Sequence, residues 1–259
     1  VAARIFLRDD IWDREVSLVD KGKITEGTYR ARLEWDAEEL YRLLIKRLLV
    51  AESFHRLLRD RGLWRDDLKP RPGLARLDIV PPTDADWLQR VVAALVGEYM
   101  GASKKKGLTY SWIIKHLGDS RERVRPRSLL LLFATAATLQ GADLQGRAPL
   151  DQERLRDALR GTVSGQAVDE LREEFKSEWT LNKVWVPDMF KDHETLWPVE
   201  YRALRDWLKR RLKVEVDDVD KLIQHMINSG LLERRVARTS DKLQVPDIYL
   251  YGLGLTRKG

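Results

Sequence analysis

The chain has no cysteine among its 259 residues. That absence excludes a disulfide framework, a thiol nucleophile and any cysteine-ligated zinc site. Only four histidines occur, His55, His116, His193 and His225, and they are scattered without ligand spacing, so a structural metal is not expected. Long apolar runs are missing as well. None is longer than Leu129–Ala134, far short of the ~20 residues that span a bilayer, and no charged-then-apolar leader precedes a small-residue cleavage site. A cytoplasmic protein without membrane segments is expected. The Gly-rich phosphate signature is also lacking: Gly107, which closes the Gly101–Gly107 loop, is followed by Leu108-Thr109, where a Walker A loop needs Lys and then Ser or Thr to reach phosphate and Mg²⁺. That loop reads as a mobile basic loop. Paired carboxylates such as Asp9-Asp10 and Glu173-Glu174 are adjacent, so on a helix they diverge, and no Ser/His/Asp constellation repeats across segments. No catalytic residue is expected within the chain.

What is present is charge and helical periodicity. Charged residues make up 34% and hydrophobic ones 43%, with a net charge of +6. Between Arg42 and Arg76 ten Lys/Arg, Arg56 and Arg59 among them, stand against four acids, a local excess equal to the whole net charge. A solvated helix face and a phosphate-contacting surface both fit such a run.

The segment Ala3–Leu7 reads as a short buried strand and Tyr29–Trp35 as another, by alternation. Asp36 with Glu39 forms a capping box that opens a helix running to about Arg61, its apolar face Leu40, Leu43, Leu44, Leu48, Ala51, Phe54 and Leu58. Asp84 caps a second helix with Trp87, Leu88, Val91, Val92, Leu95 and Tyr99 inward. Tyr110–Leu117 is a short helix ending at Gly118, and Pro126 opens a central helix through Leu139. Helices from Asp151 and Ser164 follow, the latter with Val168, Leu171, Phe175 and Trp179 on one face.

The C-terminal stretch carries the clearest pattern. A helix with Tyr201, Leu204, Leu208 and Leu212 on one face precedes a second with Val219, Leu222, Ile223, Met226 and Ile227, N-capped by Asp217 or Asp218 and stopped by Gly230. Leu231–Val236 and Val245–Tyr251 read as the two strands of a wing. Lys221 and Gln224, with the wing residues Arg234, Arg235, Arg238 and Lys242, are the candidate contacts to nucleic acid or a partner. Asp217, Asp218 and Asp220 in the first turn of the second helix repel phosphates, which favours a protein-contacting wing.

Four motifs occur in order: a strand ending in Arg8-Asp9-Asp10-Ile11-Trp12, the helix entry Leu33-Glu34-Trp35-Asp36, the helix start Arg125-Pro126-Arg127-Ser128, and the tail from Val245-Pro246-Asp247 to Lys258-Gly259. Together they resemble the C-terminal half of bacterial P-loop ATPases of the AAA-like/STAND superfamily. The resemblance implies that Arg8, at a strand end, and Arg127, at the start of a lid helix, act as nucleotide-sensing arginines. An ion pair for Arg8 and a solvated helix start for Arg127 are the structural alternatives. It also implies that ATP and Mg²⁺ are bound by a parent protein, since neither a Walker A nor a Walker B motif lies in these residues. Val rather than Met at position 1 fits a piece of something longer.

The expected fold is mainly α. It comprises a strand region over 1–35 left from an α/β ATPase sheet, a helical lid-like domain over 36–180 and a winged helix over 181–259. The expected function is that of a regulatory C-terminal part of such an ATPase, coupling nucleotide state to a winged helix that contacts a protein partner or its own ATPase core. The alternative is a basic winged-helix protein that binds DNA or RNA non-specifically.

Overall fold

The computed structural model describes residues 35–68, 79–141 and 148–258. The strand expectations for Ala3–Leu7 and for Tyr29 up to Glu34 lie outside these residues. The described chain is mainly helical, and none of its helices is long and apolar enough to cross a membrane.

Helix α1 spans Ala37–Leu48 and opens on the capping box: Asp36 Oδ1 accepts from the Glu39 amide at 2.8 Å, and the Asp36 amide donates back to Glu39 Oε2 at 3.4 Å. The single helix expected to Arg61 is in fact two, because α1 ends at Leu48 and α2 covers only Glu52–Asp60. The three residues between them rephase the apolar stripe. Leu40, Tyr41, Leu44 and Ile45 are buried before the break and Phe54, His55 and Leu58 after it, while Val50 is 51% exposed. His55 Nε2 sits 2.7 Å from the Leu49 carbonyl, so the broken helix end does not leave that acceptor unmet.

Helix α3 is Ala85–Val96, capped by Asp84 Oδ1 through the Trp87 amide at 3.0 Å. It ends at Gly97 with φ +105°, so Tyr99 lies past the helix and bridges Leu108 instead of continuing the inward face. Helix α4 is Thr109–Leu117, α5 Pro126–Gln140 and α6 Gln152–Ala158; a π-turn over Leu159–Val163 leads into α7, Ser164–Glu174. Helix α5 is central as its leucine run predicts, packing on α1, α4 and α6 with Leu129, Leu132, Phe133 and Ala136 buried. Trp179 is fully buried although α7 stops at Glu174.

Strands β1 (Thr180–Leu181) and β2 (Val184–Trp185) form a small hairpin, followed by α8, Phe190–His193. Beyond β3 (Leu196–Trp197) come β4 (Val199–Glu200), α9 (Tyr201–Leu212), α10 (Val216–Ser229), β5 (Glu233–Ala237) and β6 (Ser240–Gln244), with sheet order β4-β6-β5. Two expectations are corrected here. The residue at the N-cap of α10 is Glu215, with Asp217 and Asp218 already inside the first turn, since the helix begins at Val216. The second hairpin strand is Ser240–Gln244, in register with Glu233–Ala237 through Ala237↔Ser240, whereas Asp247–Leu250 forms a short helix, α11. Only Leu243 is buried along β6, so the strand has no apolar alternation to betray it. Pro246, with its fixed φ, starts a helix instead. The last strand, β7 (Thr256–Arg257), pairs in parallel with β3. One hydrophobic core runs through the described residues from Leu40 to Leu255.

Candidate interaction surface

Helix α10 is placed by its two ends. At its N-terminal half Asp220 Oδ1 accepts from the Tyr201 hydroxyl at 2.7 Å, which fixes α10 against the start of α9. Burial, followed by that carboxylate, pushes the Tyr201 hydroxyl up to about 12. At the other end Gly230 takes φ +99°, the left-handed conformation that closes a helix, and a Cβ there would lie 2.6 Å from Asp119 Oδ2.

That close approach comes from the loop between α4 and α5. Asp119 Oδ1 accepts from the backbone amides of Arg121 at 2.8 Å and Arg123 at 3.0 Å, and Asp119 Oδ2 accepts from the Arg123 guanidinium at 2.6 Å. So folded, the loop donates to three successive carbonyls at the end of α10. Arg121 reaches Asn228 O at 3.0 Å, Arg123 reaches Ser229 O at 3.1 Å, and the Ser120 amide reaches Gly230 O at 2.9 Å. Guanidinium groups at a helix C-terminus satisfy orphan carbonyls and complement the negative end of the dipole. None of these loop residues was singled out in the sequence, although an acid followed at two and four residues by donors, just after Gly118, is the pattern of an Asx turn.

The outward face of α10 carries Asp217, Asp218, Lys221, Gln224 and Asn228, all exposed. Gln224 spends one amide hydrogen on Asn228 Oδ1 at 2.9 Å. On the hairpin the cations are mostly engaged. Arg234 forms a two-pronged pair with Asp241, at 2.9 and 2.7 Å, and lies over the Tyr201 ring at 4.1 Å. Its guanidinium holds the Asp241 carboxyl below the usual carboxylate range. Arg235 pairs with Glu233 at 2.8 Å and Lys242 with Glu200 at 3.7 Å. Arg238, exposed at the hairpin turn, has no ion pair among the described residues.

The remaining candidates lie elsewhere. Arg56 is exposed on α2, and Arg59, on the same helix, stacks over Trp64 at 4.7 Å within 3.9 Å of Glu52. Arg127 is 72% exposed and pairs with Glu170 of α7 at 3.0 Å, beside Arg125, which bridges Glu170 and Glu174 at 3.1 Å each. Arg8 lies outside the described residues. Lys104–Lys106, in the Gly101–Gly107 loop, forms an exposed 3₁₀ turn closed by the Tyr99–Leu108 bridge.

A cleft of about 510 Å³ opens between α4, the Asp119 loop and the root of the hairpin, lined by Tyr110, Ile114, Lys115, Glu122, Arg235 and Asp247 among others. Asp247 of this lining also meets His116, which sits between the Trp112 carbonyl, 2.8 Å from Nδ1, and Asp247, 3.3 Å from Nε2. Burial first, with the nearby charges of Lys115 and Arg257, lowers the His116 pKa against the upward pull of those two acceptors. No group of three or more His, Cys, Asp or Glu able to hold a metal occurs among the described residues. Comparison of the chain with protein-family models, with curated proteins and with solved structures finds no match.

Proposed function

We propose that this chain is the regulatory, partner-contacting part of a P-loop ATPase, passing nucleotide state from its helical region to a C-terminal winged helix. The winged-helix reading is supported by the order strand, helix, helix, hairpin, with the second hairpin strand β6 pairing back to β4. The assignment to an AAA-like/STAND ATPase rests on the order of the four sequence motifs.

One observation carries the coupling: the loop that caps α10 through Ser120, Arg121 and Arg123 runs directly into Pro126-Arg127 at the start of α5. A phosphate reaching Arg127 would compete with Glu170 for its guanidinium. Any resulting shift at the start of α5 reaches the α10 cap within a few residues of backbone. A protein is the preferred partner of the winged helix, because the first turn of α10 is acidic and Arg234 and Arg235 are already neutralised by carboxylates. Contact of Lys221, Gln224 and Arg238 with nucleic acid is the rival. ATP and Mg²⁺ belong to the parent protein, and the chain alone should not turn over ATP.

The test is amide hydrogen exchange across residues 226–231 in a protein that carries both a phosphate loop and this chain, with and without ATP. Nucleotide should change protection there, and Asp119→Ala should abolish the difference. Identical exchange in both nucleotide states would refute the coupling.

A further inference from the structure

Helix α9 carries a charge run that the hairpin and α10 do not. From Tyr201 to Lys213 there are six cations, Arg202, Arg205, Lys209, Arg210, Arg211 and Lys213, against the single acid Asp206. That local excess of five nearly equals the +6 of the whole chain. Arg205 is held by Asp206 at 2.8 Å; the other five form no ion pair within 4 Å among the described residues, and only Arg202 adds its charge to the field of a hairpin carboxylate, Asp241. The basic residues on the hairpin present the opposite case: Arg234, Arg235 and Lys242 each sit on a carboxylate.

Two ordinary explanations leave the run unaccounted for. Cations in a last helical turn complement the dipole, which covers Lys209, Arg210 and Arg211. It does not cover Arg202, which stands in the first turn, where the dipole disfavours positive charge. Nor is the run a shield for buried apolar surface, since Tyr201, Leu204, Leu208 and Leu212 already face the core. Arg202, Arg210 and Lys213 are exposed, away from that stripe, along roughly 16 Å of helix.

We infer that this face of α9 is a docking surface for the phosphate backbone of a nucleic acid, read without sequence preference. Charge selects a polyanion, and the rest of the surface selects among polyanions. A protein partner needs an apolar or aromatic centre to bury, yet none of the exposed large hydrophobic residues of the described chain lies on α9. A membrane-lying helix needs an apolar face to insert, and that of α9 is spent on the core. A phosphate backbone requires neither, only separated cations free to replace its counterions. The inference goes beyond the coupling proposed above and stands whether or not α10 contacts a protein.

The experiment measures binding of mixed-sequence single-stranded and duplex oligonucleotides to the full chain by fluorescence anisotropy across a salt series. Binding in the non-specific range of roughly 10⁻⁴ to 10⁻⁶ M near physiological salt is expected, with log Kd rising steeply with log salt. Lys209→Glu/Arg210→Glu should weaken it at least about tenfold and reduce the slope by ~2, near 0.9 per lost phosphate contact. Lys209→Gln/Arg210→Gln should do the same to a smaller extent, and it serves if the acidic pair disturbs the helix end. Arg234→Gln/Arg235→Gln should change binding by less than about threefold. No oligonucleotide binding, loss through the hairpin pair instead of the α9 pair, or binding to phosphatidylserine vesicles but not to oligonucleotides would each overturn the inference.

Discussion

Two arginine–aspartate pairs, one in the loop that caps α10 and one on the hairpin, differ in kind. Asp119 is 8% exposed at its side chain, and besides the Arg123 guanidinium it binds two backbone amides, so that it shapes the loop that caps the helix. Asp241 is 31% exposed, and its Arg234 partner 37%; the pair is well aligned, but it joins two side chains on one hairpin. The contrast teaches that the consequence of an ion pair depends on what it organises. An exposed pair is typically worth about 0–1 kcal/mol, the upper end belonging to two-pronged arginine–carboxylate geometry. A carboxylate that also satisfies backbone donors cannot leave without stranding them.

The comparison can be broken most directly at Asp119. Asp119→Ala removes the acceptor for two amides and releases Arg123, so unfolding should become easier by roughly 2–3 kcal/mol. A melting-temperature drop of about 5–10 °C by calorimetry is the expected readout, and a drop no larger than that of Arg234→Ala would erase the distinction. Gly230→Ala approaches the same contact from the other side. It asks a Cβ to occupy the left-handed region, at about 1–2 kcal/mol, and to displace Asp119 as well. A Gly230→Ala/Asp119→Ala double variant should therefore cost less than the sum of the two single changes. Simple additivity in denaturant melts would mean that the two groups do not meet.

Arg234→Ala should cost under about 1 kcal/mol, and most of any loss should come from its contact with Tyr201. High salt should narrow the gap between wild type and this variant while leaving the Asp119→Ala defect almost intact. The smallest effect concerns pH. His116 is half-buried with a lowered pKa, so the folded state takes up its proton less readily than the unfolded chain. The stability tied to His116 is thus complete above its unfolded value near 6.5 and is lost as pH falls through the lower folded value. His116→Gln should flatten the stability profile on the acid side of pH 6.5, and an unchanged profile would assign the dependence to other groups.

The sequence made α10 plain because its apolar residues recur at helical spacing and Gly230 ends it; all of Val219, Leu222, Ile223 and Met226 are buried. The α5 helix was equally plain from Pro126 and its leucines. Where reading failed, the cause is local. The break after Leu48 has neither proline nor glycine to mark it, and only the shift of burial from Ile45 and Leu49 to Phe54 and Leu58 exposes it. Strand β6 is polar because both its neighbours in the sheet supply the pairing, and it needs no apolar face of its own beyond Leu243. The cap that the Asp119 loop places on α10 leaves no trace in sequence for another reason: its partners Asn228 and Ser229 stand more than a hundred positions away, and a backbone carbonyl carries no signature in sequence.

Gly252 lies against α7 so tightly that an added Cβ would collide with the Ser164 carbonyl oxygen, and its amide donates to Ser164 Oγ at 2.7 Å. The chain's final segment thus returns to the helical region after the hairpin is complete, with Leu250, Leu253 and Leu255 buried there and in the core around it. A gene fragment cut at 180/181 would carry those leucines away from the surface they cover. The module that looks separable along the sequence is stitched shut by its own tail, and borrowing it for fusion or grafting means taking α7 along.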